Sequence, residues 1–378
     1  MLKFEKKIIE YFQKHIFLIF FIIVSIAGLL IRYPLRNILG PDMTAYIRWL
    51  EQAREYGGIK SLSQNVGAYN LLFQIIFALL SYIPGNPVYI MKGFSIFFDY
   101  VSAFAVSGIV YKILSDDEKS DRLLKVIISY TAVLFSPTVL FNSSVLGQTD
   151  SSYVAFLILS LLALLYNRNT LGFILFGVSV AFKLQAVFLL PFLLFYYFYK
   201  QSFSIVKFLL FPVTMIVLAL PKILNGRSIK EIITIYSVQT KEGAAMYAGY
   251  PSFWCFLSDQ HGGDFDDFYR YKIVAIIFTV VILAVLMLIL LTKMKEMTKL
   301  NMIYCTFILA YTCVLFLPSM YDRYGYFYEI LAIAIACFKK KTIPLALSLQ
   351  IMVSYFYIGN SPFRLQIWSY INIAIYMT

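Results

Sequence analysis

The run Ile16-Phe17-Leu18-Ile19-Phe20-Phe21-Ile22-Ile23-Val24-Ser25-Ile26-Ala27-Gly28-Leu29-Leu30-Ile31 carries no charge, and the loop Gly40-Pro41-Asp42-Met43 follows it closely. Such a run reads as a membrane-length helix. Backbone in hydrocarbon must satisfy its own hydrogen bonds, and no alternating barrel pattern is present, so helices are the expected element. No A-x-A-like site follows, so the run is expected to be a retained helix rather than a removable signal. Similar apolar runs recur along all 378 residues, which are 61% hydrophobic and 14% charged with mean hydropathy +0.77. Soluble domains carry about 25% charged residues. The expected fold class is therefore an all-α polytopic membrane protein, one integral-membrane domain over residues 1–378.

The net charge of +12 would suggest nucleic acid in a soluble chain. Here the lysines sit in short loops, where they set orientation, and no nucleic-acid partner is expected. Cys255, Cys305, Cys313 and Cys337 show no metal spacing, and the only histidines are His15 and His261. No metal centre built on His or Cys is expected, and no cofactor; a cation held by carboxylates stays open as an alternative.

Lys3, Lys6, Lys7 and Lys14 put the start of the chain in the cytoplasm. Residues 32–87 then form a first outer loop, in which the apolar segment Tyr69–Ile83 reads as interfacial. Parity requires this, because the loop holding Lys112, Lys119, Arg122 and Lys125 is cytoplasmic by charge. Spans are expected at about 88–113, 123–141 and 151–166, with two short helices over 171–199 that meet near Lys183. Further spans at about 204–221, 271–292 and 300–318 follow, and another ends at Lys339-Lys340-Lys341. One or two more close a total of 11 or 12. A long outer loop covers 222–270 and contains Ile229–Ile233 and Tyr247–Trp254; loops of that length are usually functional.

On this topology Asp42, Asp150, Lys183, Gln185, Asp322 and Arg323 collect at the outer face. Ionisable groups near hydrocarbon are costly and point to function. Each has a plainer reading. Asp42 and Asp150 would serve as helix caps, Lys183 would snorkel to the headgroups, and Asp322-Arg323 would be a surface ion pair. Asp99, in Phe97-Phe98-Asp99-Tyr100, reads as a buried structural hydrogen bond. Trp254 and the abundant tyrosines read as interfacial belt residues.

One chemistry unites the set. A sugar on a lipid phosphate already has a leaving group. Attack on it needs an acceptor hydroxyl, a carboxylate to take the proton, and cations to hold the departing phosphate. Asp42 suits the base; Lys183 and Arg323 suit the phosphate. A single base with direct displacement implies inversion at the sugar carbon.

Four stretches carry a family resemblance. They are Asp42 with its following segment, Ser136-Pro137 through Gly147-Gln148-Thr149-Asp150, Phe182-Lys183-Leu184-Gln185 to Pro191, and Pro318-Ser319-Met320-Tyr321-Asp322-Arg323-Tyr324. In this order they resemble the GT-C class of membrane glycosyltransferases that use polyprenyl-phosphate sugars. The likeness is greatest to bacterial relatives of the mannosyltransferases of GPI-anchor synthesis. It is fainter to the glucosyltransferases that finish the N-glycan lipid precursor. The family often has His-Glu-Arg-Tyr where this chain has Tyr321-Asp322-Arg323-Tyr324. The resemblance implies Asp42 as base, and Gln148, Asp150, Lys183, Gln185, Asp322, Arg323 and Tyr324 as substrate contacts. It also implies interfacial helices in the first outer loop, an undecaprenyl-phosphate sugar as donor, and a lipid-linked glycan or wall polymer as acceptor. The expected location is the bacterial cytoplasmic membrane, with the site facing outward. A polysaccharide polymerase and a non-enzymatic flippase or transporter are the alternatives; the latter would keep its charges near the bilayer midplane.

Overall fold

The computed structural model describes residues 3–242, 245–256, 265–359 and 362–378. Over these residues the chain is helical, and its only β-type pairings are isolated bridges at Tyr321. Six helices are long and apolar enough to cross a membrane, or seven if one bent pair counts as a single span. The expected 11 or 12 crossings exceed what length and composition give, because several apolar helices are short.

The first long helix, α1 (Lys3–Arg32), leads through a 3₁₀ turn (Pro34–Asn37) to α2 (Met43–Glu55). The buried residues of α2 are Met43, Tyr46, Trp49, Leu50 and Ala53, spaced three or four apart on one helical face. Next comes α3 (Leu71–Leu80), capped by Asn70 Oδ1, which accepts from Leu71 N at 2.6 Å. Its 10 residues reach about 15 Å, half of a bilayer core of about 30 Å. It lies against α2 and the two helices α8 (Asn169–Phe182) and α10 (Leu210–Leu224).

The longer α4 (Pro87–Ile113) starts at a cap, with Asn86 accepting from Val88 N and Pro87 in the first turn. The span expected over 123–141 is broken. Helix α5 (Lys119–Leu134) stops, Ser136 is extended before Pro137, and α6 (Pro137–Val145) continues at 42°. Proline disfavours a helical residue before it and supplies no N–H, which accounts for the break. The latter part of α6 is π-helical.

The rest alternates between two ends of the bundle. In order come α7 (Asp150–Leu165), α8, α9 (Leu190–Lys200), α10 and α11 (Glu231–Glu242). Then follow α12 (Phe265–Lys293), α13 (Lys299–Phe316), α14 (Tyr326–Ala336), α15 (Ile343–Ile358) and α16 (Pro362–Met377). Two short helices do meet at Lys183, as the sequence suggested, with a 3₁₀ stretch (Leu184–Leu189) before α9. The lysine-rich turns meet at one end: Lys299 Nζ donates to Lys112 O and Ser115 Oγ, and Lys207 Nζ to Thr170 Oγ1. The acidic and basic candidate residues lie at the other. There α16 is tied to residues 251–252 and to α13 through Ser369, Asn372 and Tyr376.

Asp99 is fully buried, and it is an ion pair rather than a hydrogen bond alone. Arg32 Nη2 reaches its Oδ2 at 3.1 Å and Leu134 O at 2.9 Å, while Ser143 and Tyr326 also donate to Asp99. The pair joins α1, α4, α5, α6 and α14.

The lysine distribution predicts which end is cytoplasmic. In a variant with the four native cysteines replaced by alanine, Ser63→Cys should react with an impermeant thiol reagent on intact cells. Ser120→Cys should react only after permeabilisation; both positions are exposed. The reverse pattern would mean that the orientation is inverted.

Candidate active site

Asp42 occupies the N-cap position of α2 yet makes no capping bond. Its Oδ2 instead accepts from Gln148 Nε2 at 2.9 Å and from Arg323 Nη2 at 3.0 Å. The capping reading of Asp42 therefore fails. Oδ1 accepts no hydrogen bond among the described residues, and the side chain is 36% exposed. The carboxylate is held from one side and open on the other.

Two glycines let the loops meet. A Cβ on Gly40 would sit 2.3 Å from the backbone oxygen of Leu146, so only glycine permits this approach. Gly147 has φ +66°, which turns the chain so that Gln148 faces Asp42. Gln148 is almost fully buried, and its Oε1 accepts from Tyr46 OH at 3.2 Å. Tyr46 and Tyr69 hydroxyls are 2.8 Å apart. Burial raises the pKa of Tyr46 and the Asp42 charge raises it further, so the phenol stays protonated and donates.

Asp150 opens α7 and is fully buried, but its side chain does not cap the helix by hydrogen bonding. Oδ1 meets Lys183 Nζ at 2.5 Å, and Oδ2 accepts from Asn142 Nδ2 at 3.2 Å. Arg323 Nε lies 3.8 Å from the same Oδ2. Lys183 does not snorkel. The backbone is extended there (φ −153°, ψ 140°), which ends α8 and turns the ammonium inward. Nor is Asp322-Arg323 a surface pair. Arg323 Nη1 is 3.6 Å from Asp322, while the rest of the guanidinium faces Asp42 and Asp150, and its side chain is 17% exposed. Burial pushes the Asp322 carboxyl up, and the neighbouring Arg323 charge opposes that shift.

Part of the stretch 222–270 holds this turn. Ala248 N and Tyr250 N both donate to Met320 O at 3.2 Å, and Ser319 N donates to Met246 O at 3.1 Å. Ser319 takes a left-handed conformation, φ +62°, just before Arg323. Trp254 is no belt residue: it is buried, and its Nε1 donates to Phe316 O at 2.6 Å. Tyr46, Tyr153, Tyr250 and Tyr326 are likewise buried rather than interfacial. The hydroxyls of Tyr46, Tyr250 and Tyr326 join hydrogen-bond networks, as buried phenols usually do, whereas that of Tyr153 has no partner among the described residues.

The structure thus brings together Asp42, Gln148, Asp150, Lys183, Asp322 and Arg323. Tyr324 sits within the field of Arg323 and Asp150, and burial raises its hydroxyl. Gln185 is partly buried, and among the described residues its Oε1 has no hydrogen-bond partner and no hydrogen bond joins it to the cluster. The sequence reading missed Tyr46, Tyr69, Asn142 and Tyr357, whose hydroxyl lies 3.1 Å from Asn142 Nδ2. A signal existed for two. Tyr46 lies one helical turn after Asp42, and Asn142 interrupts Val139-Leu140-Phe141. Among the described residues no group of three or more His, Cys, Asp or Glu side chains is placed to hold a metal ion. The His15 ring lies tilted against Tyr11, with centroids 4.6 Å apart, and His261 lies outside the described residues.

Three carboxylates and two cations leave the cluster with one net negative charge. No known protein-family model matches the chain, and neither does any curated protein.

Removing one partner of a buried pair strands the other. Asp150→Ala should destabilise the protein by about 3–5 kcal/mol, read as thermal unfolding in detergent. Asp150→Leu combined with Lys183→Met should recover part of that loss. Equal stability of Asp150→Ala and wild type would show that the pair does not bear on folding.

Proposed function

We propose that this chain is an inverting membrane glycosyltransferase similar to the GT-C class. It moves a sugar from a polyprenyl-phosphate donor to a hydroxyl of a lipid-linked glycan or cell-surface polymer. The observation that supports this most is the state of Asp42: a carboxylate held by Gln148 and Arg323 through one oxygen, with the other turned to the open side.

In the proposed reaction the acceptor oxygen attacks the anomeric carbon as Asp42 takes its proton. The bond from that carbon to the phosphate oxygen breaks, and the polyprenyl phosphate leaves with the electron pair. Lys183 and Arg323 hold that phosphate, with no divalent metal required. Their existing partners set the order of events. Lys183 is buried against Asp150, whereas Arg323 is shared between Asp150 and the more exposed Asp42. The donor phosphate therefore competes with Asp42 for Arg323, and its arrival frees the carboxylate to act as base. The site faces the outside of a bacterial cytoplasmic membrane in this reading, within a bundle of 11 or 12 crossings.

The test is transfer by the purified protein in vesicles, using a panel of radiolabelled polyprenyl-phosphate sugars. Asp42→Asn should lower turnover by roughly 100- to 10,000-fold, the usual cost of losing a general base. It should not weaken donor binding, because a competitor for Arg323 is gone. Near-normal turnover by the variant would sink the assignment.

Arg323→Gln and Lys183→Gln should each weaken donor binding by roughly 10- to 100-fold, the size of one charge-assisted hydrogen bond. Arg323→Lys should restore only part, since a point charge cannot replace the forked guanidinium. EDTA should leave wild-type activity intact. Unchanged donor affinity in both cation variants, or activity lost to EDTA and restored by added metal, would refute this role for the two cations.

A further inference from the structure

Lys92 is a buried cation in the second turn of α4, and nothing in the reaction above uses it. It forms no ion pair among the described residues. Its ammonium instead meets backbone carbonyls: Leu35 O at 2.9 Å, Ile38 O at 2.6 Å, Ser144 O at 2.6 Å and Val145 O at 3.4 Å. An ammonium has three donors, so the three short bonds use all of them.

Those carbonyls come from two helix ends. Leu35 and Ile38 belong to the 3₁₀ turn Pro34–Asn37 and its C-cap, and Ser144 and Val145 close α6. The last carbonyls of a helix carry its negative dipole end and mostly need outside donors, although Leu35 O also accepts from Ile38 N at 3.2 Å. One lysine thus caps two helices at once. The chain positions are informative. Asp42 follows Ile38 by one short loop, and Gln148 follows Val145 by another. The Lys92 stem also runs beneath Gly147, whose added Cβ would lie 3.4 Å from its Cε.

We propose that Lys92 is a positioning residue that fixes the loop of Asp42 against the loop of Gln148. This rests on the glycosyltransferase reading for its catalytic consequence and on the geometry for the clamp itself. Lys92 touches neither Asp42 nor substrate in this scheme. It acts by tying both loops to one point on α4, so that Gln148 and Arg323 meet Asp42 with its free oxygen outward. The tie is specific to these loops, because no other segment supplies a carbonyl to it among the described residues.

The experiment uses the full chain in nanodiscs, with hydrogen exchange measured alongside transfer from a polyprenyl-phosphate sugar. Lys92→Met keeps the stem and removes the donors. Exchange should rise in residues 35–42 and 140–148 while the bundle elsewhere keeps its protection. The kcat should fall roughly 100-fold, the scale of a small misplacement at a reacting group, and the donor KM should stay within about threefold. Lys92→Arg should regain most of the kcat, because a cation with several donors remains. Gly40→Ala removes no charge but pushes the same loop off Leu146, and should give the same kcat-against-KM split. Unchanged exchange in both loops, or exchange raised evenly over the whole chain, would overturn the clamp, as would kcat within threefold of wild type in both variants. If wild type transfers no sugar from any donor, the enzyme reading falls, and the exchange pattern alone decides the clamp.

Discussion

A carboxylate with no access to solvent, Asp150, sets the terms for everything at its end of the bundle. Taking such a charge out of water costs several kcal/mol unless opposite charge and hydrogen bonds are supplied with good geometry. Lys183 supplies one, Asn142 another, and Arg323 stands close by. Meeting that demand requires the helices to stop. Helix α8 ends where Lys183 becomes extended, and the connection from α13 to α14 turns through Ser319 so that Arg323 faces inward. The irregular backbone is thus gathered around one buried charge.

The sharing of Arg323 makes the cluster a coupled unit. Its guanidinium lies between Asp42, Asp150 and Asp322, so a change at any one of them alters the field at the other two. Effects at these positions are therefore not additive. Asp42 is the most exposed of the partners and Asp150 the least.

The class of fold was legible in the apolar runs, and the charged members of the site were legible in their cost near hydrocarbon. What composition could not convey was pairing. Asp42 and Asp150 each occupy a position where a cap is the ordinary expectation, and only coordinates show that both side chains turn elsewhere. With 30 tyrosines in the chain, nothing marked Tyr46 and Tyr69 as neighbours of Gln148. Trp254 was misread because aromatic residues in an outer loop usually mark the membrane interface, whereas here a carbonyl at the end of α13 claims the indole. Lys92 was invisible for a different reason. Its acceptors are main-chain carbonyls, which every residue possesses. The break at Ser136-Pro137, by contrast, is plain in the sequence, since proline disfavours a helical residue before it.

The contact between Gly40 and Leu146 has an asymmetry with evolutionary weight. Gly40 meets the main chain of Leu146, not its side chain. Main chain is the same whatever residue occupies a position, so drift at 146 leaves the fit intact, while any side chain at 40 spoils it. Descendants of this sequence can thus vary freely on one side of the joint and scarcely at all on the other. A chimera that exchanges residues 32–87 inherits the joint only if the incoming segment brings its glycine.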